Sequence, residues 1–302
     1  MRANTEFLKL PKRFWANVRS ISEALGYTEA GRRRGQGRIK VYTPSQVQEA
    51  LSGLGLGSEH LYSHDGSKTE IGIRLHRYFE HRAEVLNTFV EPRLMDADAA
   101  RNAFEELRDR QSYTCLLPRN KQRGEKAGYA YLTGIVNMIV ESSIGTLPCN
   151  YNPYSLTTFQ RDGQPVRTLA RRVDGCFPDV VNPIALWEIK EYYFTTTFGS
   201  RVADGVYETL LDGLELEELR ENELLDCYHM LVVDSHFTWW MCGKSYLCRI
   251  VDMLHMGYVD EVLFGREVLE RLPEITSEWV REYHTRRASD TTGDANGKAY
   301  GQ

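Results

Sequence analysis

Apolar residues recur at helical spacing near the start of the chain. Phe14, Val18, Ile21 and Leu25 follow one another at intervals of four, three and four residues. This spacing places all four on one face of a helix over residues 13–25. The pattern therefore predicts an amphipathic helix that buries this face.

A second helix is predicted from its start signal. Thr43, Pro44 and Gln46 suit the N-cap, the first turn and the capping box of a helix. Between the two helices lie a basic loop at 31–38 (GRRRGQGR) and a short apolar segment at 39–42 (IKVY), which we predict to be a strand.

The spacing of apolar residues changes from helical to strand-like near residue 167. Before this point, the predicted helices are 69–110 and 127–143. After it, the predicted strands are 167–174, 177–182, 184–193 and 228–234. The predicted helices in the same part of the chain are 200–214, 244–256 and 258–283.

A glycine-rich polar stretch at 53–68 has the composition of a linker. We therefore expect a helix-rich N-terminal extension at 1–65 and a larger domain at 66–286. The last segment, 287–302, is polar and has no apolar anchor, so we expect it to be disordered.

Composition limits the classes of protein that need to be considered. The 302 residues are 42% hydrophobic and 26% charged, which is ordinary for a globular protein with a sizeable core. No apolar run approaches the roughly 20 residues that cross a bilayer, and the N-terminal segment lacks the apolar stretch of a secretory signal. The six cysteines form no CxxC pair. We therefore expect a cytoplasmic protein with reduced thiols and no membrane partner.

The charge is distributed unevenly, although the net value is only -5. Residues 1–40 contain ten basic and three acidic residues, a net charge of +7. Residues 204–226 contain nine acidic residues and one basic residue, a net charge of -8. The basic head is a candidate contact for a polyanion, whereas the acidic segment is most simply a solvated face.

The candidate chemistry lies in two apolar runs separated by a turn signal at 182–183 (Asn-Pro). Pairing about that turn places Asp179 opposite Glu188, with Cβ atoms about 4.5–5.5 Å apart on the same side of the sheet. Lys190 shares this side because it lies two residues beyond Glu188. Trp187 and Ile189 then point the other way, into apolar packing.

Two carboxylates this close repel each other unless a cation lies between them. Mg²⁺ prefers oxygen ligands and is commonly held by one or two carboxylates together with water and phosphate oxygens. Such an ion lowers the pKa of bound water and neutralises charge on a phosphodiester. Lys190 would orient or help deprotonate the attacking water and stabilise the transition state. These parts fit in-line phosphodiester hydrolysis, not redox chemistry or acyl transfer.

The segment resembles the PD-(D/E)xK nuclease superfamily, which has the restriction-endonuclease-like fold. Pro178-Asp179 matches the PD element, and Glu188-Ile189-Lys190 matches the (D/E)xK element. The resemblance covers roughly residues 125–235. It implies an α/β fold with a mixed β-sheet core flanked by helices, Asp179 and Glu188 as metal ligands, and Lys190 as the catalytic lysine.

Two further acids are candidate ligands. The superfamily commonly has an acidic residue on its first core helix, and Glu141 lies near that position. Asp174 is the other candidate. The simpler interpretation of the motif is a surface hairpin with an ordinary Glu-Lys pair, but the run from Val180 to Trp187 is too apolar for a solvated edge.

Candidate DNA contacts lie in two places. The loop at 195–201, which includes Ser200 and Arg201, combines hydroxyl groups with a predicted helix N-terminus and so suits phosphate contact, although Ser200 alone also suits an N-cap. Through residues 21–27 and the segment Tyr42-Thr43-Pro44, the N-terminal head resembles a helix-turn-helix or winged-helix module of the MerR type. Its candidate phosphate contacts are Arg32, Arg33, Arg34, Arg38 and Lys40. The alternative is a solvated basic loop.

Together these features predict a Mg²⁺-dependent DNA endonuclease, of the kind found in restriction or phage defence. A palindromic target would imply a two-fold homodimer. Two alternatives stay open: a repair or recombination nuclease of the same superfamily, and a DNA-binding regulator without enzymatic activity.

Overall fold

The computed structural model describes residues 1–29, 31, 35–121, 123–124, 127–194 and 199–297. The α-helices are α1 (Lys12–Leu25), α2 (Pro44–Gly53), α3 (Glu70–Glu84), α4 (Ala97–Arg108), α5 (Tyr131–Ile144), α6 (Ser200–Glu223), α7 (Lys244–Met256) and α8 (Glu267–Gly297). The strands are β1 (Thr158–Arg161), β2 (Gln164–Thr168), β3 (Gly175–Phe177), β4 (Ala185–Lys190), β5 (Tyr228–Val233) and β6 (Glu261–Phe264). Two short π-helices, Val85–Val90 and His236–Cys242, and a 3-10 turn, Glu91–Arg93, lie between them.

The main sheet has the strand order β3-β4-β5-β6. Strand β3 is antiparallel to β4, whereas β4, β5 and β6 are parallel to one another. The connections between the parallel strands pass through α6 and α7, as parallel pairing requires. A separate hairpin of β1 and β2 lies outside this sheet. The predicted α/β class with a mixed sheet is confirmed at this level.

Helices cover both faces of the main sheet. On one face, Trp187 and Ile189 of β4 pack with apolar side chains of α4, α5 and α8. The ring of Trp187 stacks on that of Trp279 at a centroid distance of 5.6 Å. On the other face, Leu231 and Val233 of β5 pack against α6 and α7. Successive side chains of β4 alternate between these two layers.

The N-terminal helices form their own apolar cluster. Side chains of α1, α2 and α3 pack together around Val18, Val47 and Phe79. The predicted capping box of α2 is present, since the Gln46 N–H donates to the Thr43 hydroxyl and the Thr43 N–H donates to the Gln46 side-chain oxygen. The predicted boundary at 65/66 would separate α3 from α1 and α2, whereas the packing keeps these three helices together.

A buried ion pair joins this N-terminal cluster to α7. Arg82 of α3 is fully buried, and its Nη1 lies 3.1 Å from both carboxylate oxygens of Asp252. The hydroxyl of Tyr78 donates to the same carboxylate at 2.5 Å, and Arg82 also donates to Ser22. The guanidinium therefore has its charge neutralised and most of its donors satisfied without water.

We expect Asp252→Ala to lower the free energy of unfolding by about 3–5 kcal/mol, because it leaves the Arg82 guanidinium buried without an anion. Urea unfolding monitored by circular dichroism measures the change. Asp98→Ala, which removes an exposed carboxylate from α4, is the control and should change stability by less than about 0.5 kcal/mol. Equal losses in the two variants would contradict the role given to this ion pair.

Several predicted elements differ from the structure. Residues 39–42 form no strand beyond an isolated bridge at Ile39, and the predicted strands 167–174 and 177–182 overlap the observed strands only at 167–168 and at Phe177. Residues 258–283 were predicted as one helix, but Glu261–Phe264 form β6, and α8 begins only after Gly265. Gly265 has φ 52°, and a Cβ there would lie 1.9 Å from the carbonyl oxygen of Arg93, so the chain must turn at this position. At the other end, α8 continues to Gly297 where disorder was predicted for 287–302, and residues 298–302 lie outside the described residues.

Candidate active site

The predicted pairing of Glu188 with Lys190 on one face of β4 is confirmed. Lys190 Nζ lies 2.9 Å from Glu188 Oε2. Glu188 is 0% exposed and Lys190 is 6% exposed. Trp187 and Ile189 point into the opposite, apolar layer, as expected. Strand alternation thus separates the charged side chains from the main core.

The acid beside Glu188 is Asp174, and the predicted strand register is therefore wrong. Strands β3 and β4 pair with Gly175 opposite Trp187. Asp174, one residue before Gly175, receives a 2.7 Å hydrogen bond at Oδ2 from the backbone N–H of Ile189. Its own N–H donates to Glu188 Oε1 at 3.3 Å. The observed partner of Glu188 therefore lies five residues before Asp179.

Asp179 does not join Glu188 and Lys190. It is exposed, and its Oδ1 accepts hydrogen bonds from the Asn150 side chain at 2.9 Å and from the Val180 N–H at 2.8 Å. The connection between β3 and β4 is held away from the site because Thr158 of β1 donates its N–H to the Val180 carbonyl. This pairing with β1 replaces the tight turn that the sequence predicted.

Helix α6 adds two acids to the site, and the loop before β3 adds an arginine. Arg171 Nη1 lies 2.8 Å from Glu188 Oε1 and 2.7 Å from Asp212 Oδ2. Glu208 accepts from Lys190 Nζ at 3.1 Å. We call the six residues the ionic cluster: Arg171, Asp174, Glu188, Lys190, Glu208 and Asp212.

A glycine lets α6 approach the lysine. A Cβ at Gly205 would lie 2.8 Å from the Tyr192 hydroxyl and 3.1 Å from Lys190 Cδ. Any larger side chain would therefore push the Lys190 stem or the helix outward. The cluster reaches the surface through Asp174, which is exposed as a residue, and through Glu208, whose side chain is 45% exposed.

The acids of the ionic cluster differ in the direction of their pKa shifts. The pKa of Glu188 is lowered, whereas those of Asp174 and Asp212 are raised. Burial alone would raise the pKa of Glu188, but Lys190 and Arg171 lower it overall, so this carboxylate is ionised. Loss of hydration and the neighbouring Glu188 raise the pKa of Asp174 to about 6 and that of Asp212 to about 7. Burial would lower the pKa of Lys190, but Glu188 raises it, so the amine is protonated.

The donor chemistry of the ionic cluster fits a hard divalent cation. Among the described residues, no group of three or more His, Cys, Asp or Glu side chains is already arranged to hold a metal ion. However, the carboxylates of Glu188, Glu208 and Asp212 pair with Arg171 and Lys190, and Asp174 lies beside them, bonded through its N–H to Glu188. Asp212 Oδ1 is buried and has no hydrogen-bond partner. Oxygen donors with excess negative charge are what Mg²⁺ requires.

Glu141 does not reach this cluster. It lies on α5, whose apolar side chains pack on the Trp187 face, whereas Glu188 and Lys190 point to the other face. Burial would raise the pKa of Glu141, but hydrogen bonds from the Thr114 N–H and hydroxyl lower it overall. Its observed role is to hold the loop before α5, so the prediction of a metal ligand at this position is wrong.

The structure describes only some of the predicted DNA contacts. Arg32, Arg33 and Arg34 and residues 195–198 lie outside the described residues. Arg38 is exposed, whereas the Lys40 amine donates to the Leu25 carbonyl and so caps α1.

Helix α6 begins at Ser200, ten residues after the end of β4. Gly199 is the N-cap of this helix, so the alternative role of Ser200 as an N-cap is wrong. Ser200 and Arg201 form the first turn, which leaves their contact with phosphate as a prediction.

Sequence reasoning missed a second pair of acids, the partly buried Glu191 and the buried Asp234, at the carboxyl ends of β4 and β5. Glu191 accepts hydrogen bonds from the N–H and hydroxyl of Thr133 at the start of α5. Asp234 Oδ1 accepts from the N–H groups of Met95 and Ser235, both at 2.7 Å, and Oδ2 accepts from the Tyr193 hydroxyl. Burial raises the pKa of each acid to about 7, against the effect of these hydrogen bonds.

These raised pKa values predict that stability depends on pH. Glu191 and Asp234 keep their protons in the folded protein at pH values where the unfolded chain has released them. Their contribution to the free energy of unfolding therefore falls as pH rises from about 4 to about 7. Asp174 and Asp212 act in the same direction.

Asp234→Asn should remove the part of the pH dependence of stability that comes from Asp234. The amide keeps the Oδ1 acceptor and stays neutral at every pH. Its stability relative to the wild type should rise between pH 5 and pH 8, as measured by urea unfolding at both pH values. A stability difference that is the same at both would show that Asp234 is already ionised at pH 5.

Comparison with known families assigns the chain to a family without assigning an activity. A model described as "Domain of unknown function (DUF7687)" matches residues 95–279, which is more than half of the chain. The protein therefore belongs to this family. A second model, "Domain of unknown function (DUF7690)", matches residues 1–89, the part that contains α1, α2 and α3. Neither a curated protein nor a solved structure matches the chain.

The ionic cluster lies within the DUF7687 match. The DUF7690 match ends at residue 89 and the DUF7687 match begins at residue 95, so the 3-10 turn before α4 lies between the two matches. Within the described ranges, no helix has the combination of length and apolar character that is needed to cross a membrane.

Proposed function

We propose that this protein is a Mg²⁺-dependent DNA endonuclease whose active site contains Asp174, Glu188 and Lys190. The observation that carries the proposal is that these three residues lie together at one end of the β3-β4 pair, on the face opposite Trp187. Two acids and a lysine on adjacent strands are the arrangement that PD-(D/E)xK nucleases use. Asp174 takes the place that the sequence pattern had suggested for Asp179.

The order of elements also supports a restriction-endonuclease-like core. Helix α5 is followed by Asn150, which forms a bridge to Cys176, then by the inserted β1-β2 hairpin, and then by β3, β4, α6 and β5. The bridge is antiparallel to β3, and β5 is parallel to β4. A helix, antiparallel strands, a second helix and a parallel strand are the order we expect for that superfamily.

The residues of the site would have different roles in phosphodiester hydrolysis. Asp174 and Glu188 would hold the cation, which supplies charge neutralisation on the phosphate and a more acidic water. Lys190 is protonated because Glu188 raises its pKa, so it acts as a cation. It would orient the attacking water and stabilise the charge that develops on the phosphate in the transition state.

The DNA partner rests on the basic N-terminal segment and on the chemistry of the site. Exposed Arg38 and the three arginines at positions 32–34 of the sequence would contact backbone phosphates. Such contacts supply affinity but do not select a sequence. A place in restriction or phage defence, a cytoplasmic location and a homodimer stay predictions from the sequence.

A cleavage assay tests the proposal. Purified protein is incubated with supercoiled plasmid, branched DNA and single-stranded DNA, each with Mg²⁺ and each with EDTA. We expect cleavage with Mg²⁺ and none with EDTA, and none from Glu188→Gln in either buffer. Cleavage of plasmid would favour the restriction role, and cleavage confined to branched DNA would favour repair. Cleavage by Glu188→Gln at the wild-type rate would overturn the proposal.

One observation favours a second candidate, a DNA-binding protein without enzymatic activity. Both carboxylate oxygens of Glu188 are already paired, Oε1 with Arg171 and Oε2 with Lys190. A buried network of this kind can serve stability alone. This alternative predicts DNA binding without Mg²⁺-dependent cleavage of any of the three substrates.

A further inference from the structure

Helix α6 presents two carboxylates, one turn apart, to the ionic cluster. Glu208 is partly exposed, whereas the side chain of Asp212 is 0% exposed. Asp212 Oδ2 accepts from Arg171 at 2.7 Å, but Oδ1 has no hydrogen-bond partner. A buried carboxylate oxygen without a donor is unfavourable, so its presence requires a reason.

Arg171 makes the connection between Asp212 and the strand. A single nitrogen, Nη1, lies 2.8 Å from Glu188 Oε1 and 2.7 Å from Asp212 Oδ2. Its guanidinium therefore bridges a carboxylate of β4 and a carboxylate of α6. A divalent cation bound to both Glu188 and Asp212 would lie between the same two carboxylates as the Arg171 guanidinium does. It would carry twice the charge of the guanidinium.

The charges of the ionic cluster indicate that the Arg171 guanidinium does not neutralise its carboxylates completely. With all four acids ionised, the cluster has two more carboxylates than cations among the residues described, so one divalent ion would balance it. The Arg171 side chain is 23% exposed, so its guanidinium lies between the buried carboxylates and solvent, where it also contacts Glu188 Oε2 through Nη2 at 3.1 Å. Replacing it at the bridge would leave Asp212 Oδ1 free to bind the incoming ion.

We propose that Asp212 is a ligand of the same divalent cation as Glu188, and that Arg171 holds the two carboxylates together until the cation replaces it. This inference rests on the proposed function for the presence of a cation at Asp174 and Glu188. It adds a ligand from α6, the helix that follows the catalytic strand. That position differs from Glu141, the acid on the preceding helix that the sequence had suggested.

Binding of Mn²⁺ to the full-length protein, followed by calorimetry without DNA, tests the inference. We expect the wild type to bind Mn²⁺ and Asp212→Asn to bind it at least about tenfold more weakly. Asp174→Asn should show a loss of similar size. Glu221→Gln removes one exposed negative charge from the same helix and should change the affinity by less than about twofold.

The outcomes separate the two proposals. Loss of affinity in Asp174→Asn alone, with Asp212→Asn like the wild type, would overturn the role of α6 and leave the proposed nuclease site standing. No binding by the wild type, or no loss in either variant, would overturn both. Arg171→Gln removes the competing cation and should bind Mn²⁺ more tightly, and weaker or unchanged binding would overturn the role given to Arg171.

Circular dichroism of each variant, recorded before the titration, shows whether the fold is intact. If Asp212→Asn does not fold, Asp212→Glu takes its place, because it keeps the charge but displaces the carboxylate by one methylene group. A tenfold loss of Mn²⁺ affinity in that variant supports the inference, and wild-type affinity overturns it.

Discussion

Lys190→Ala should lower the rate of Mg²⁺-dependent DNA cleavage by about 10³-fold or more, while the affinity for DNA stays within about threefold of the wild type. The loss is large because the protonated amine, held 2.9 Å from Glu188 in a buried setting, stabilises charge that develops only in the transition state. Affinity should persist because phosphate contacts elsewhere on the protein supply it. Single-turnover cleavage and fluorescence anisotropy measure the two quantities.

Lys12→Ala is the matched control for this variant. Lys12 lies at the start of α1, its side chain is 80% exposed, and its ion pair with Glu217 is a surface contact. This control should leave cleavage within about twofold of the wild type. If Lys190→Ala instead lost DNA affinity and cleavage together, with its fold intact, Lys190 would be a DNA contact and not a catalytic residue.

Asp174→Asn should abolish cleavage to a similar extent, whereas Asp179→Asn should stay within about threefold of the wild type. The two variants make the same chemical change five residues apart, so each serves as the control for the other. Asp174 lies beside Glu188 and is bonded to the Ile189 N–H. Asp179 is exposed and bonded to Asn150. The comparison tests the register of the site directly.

The opposite result would restore the assignment made from the sequence pattern. Loss of cleavage in Asp179→Asn, with Asp174→Asn active, would mean that the connection between β3 and β4 rearranges when DNA or Mg²⁺ binds. The same single-turnover assay decides between these outcomes.

The face of β4 could be predicted from the sequence because it depends only on local geometry. Side chains of a strand alternate, so Glu188 and Lys190 had to share a face once the segment was recognised as a strand. The apolar character of Trp187 and Ile189 then fixed which face is the core. Their packing with α5 and α8 agrees with this reasoning.

The register of β3 against β4 could not be predicted because a distant segment determines it. The Asn-Pro signal at 182–183 suggested a tight turn, but the side chain of Asn182 bonds to the backbone of Gln160 in β1. The residues between the strands therefore pair with β1 instead of closing a short hairpin. A contact across 22 residues leaves no periodic signal in the sequence.

The part of the site that comes from α6 was hidden within an acidic segment. Nine acids between residues 204 and 226 suggest a solvated face. Val202 and Val206 are buried, but the buried stripe then continues through Thr209, Asp212 and Leu216, while Leu214 is 41% exposed. The spacing of small and apolar residues around Asp212 could have indicated that this acid turns inward.

Crystals grown with Mn²⁺ and measured for anomalous scattering would test most directly whether the acids of β3 and β4 share one cation. The proposed function predicts an anomalous peak within bonding distance of the carboxylates of both Asp174 and Glu188, with Arg171 moved away from Glu188. A peak at Asp179, or none near Glu188 with Arg171 still bridging to Asp212, would contradict it.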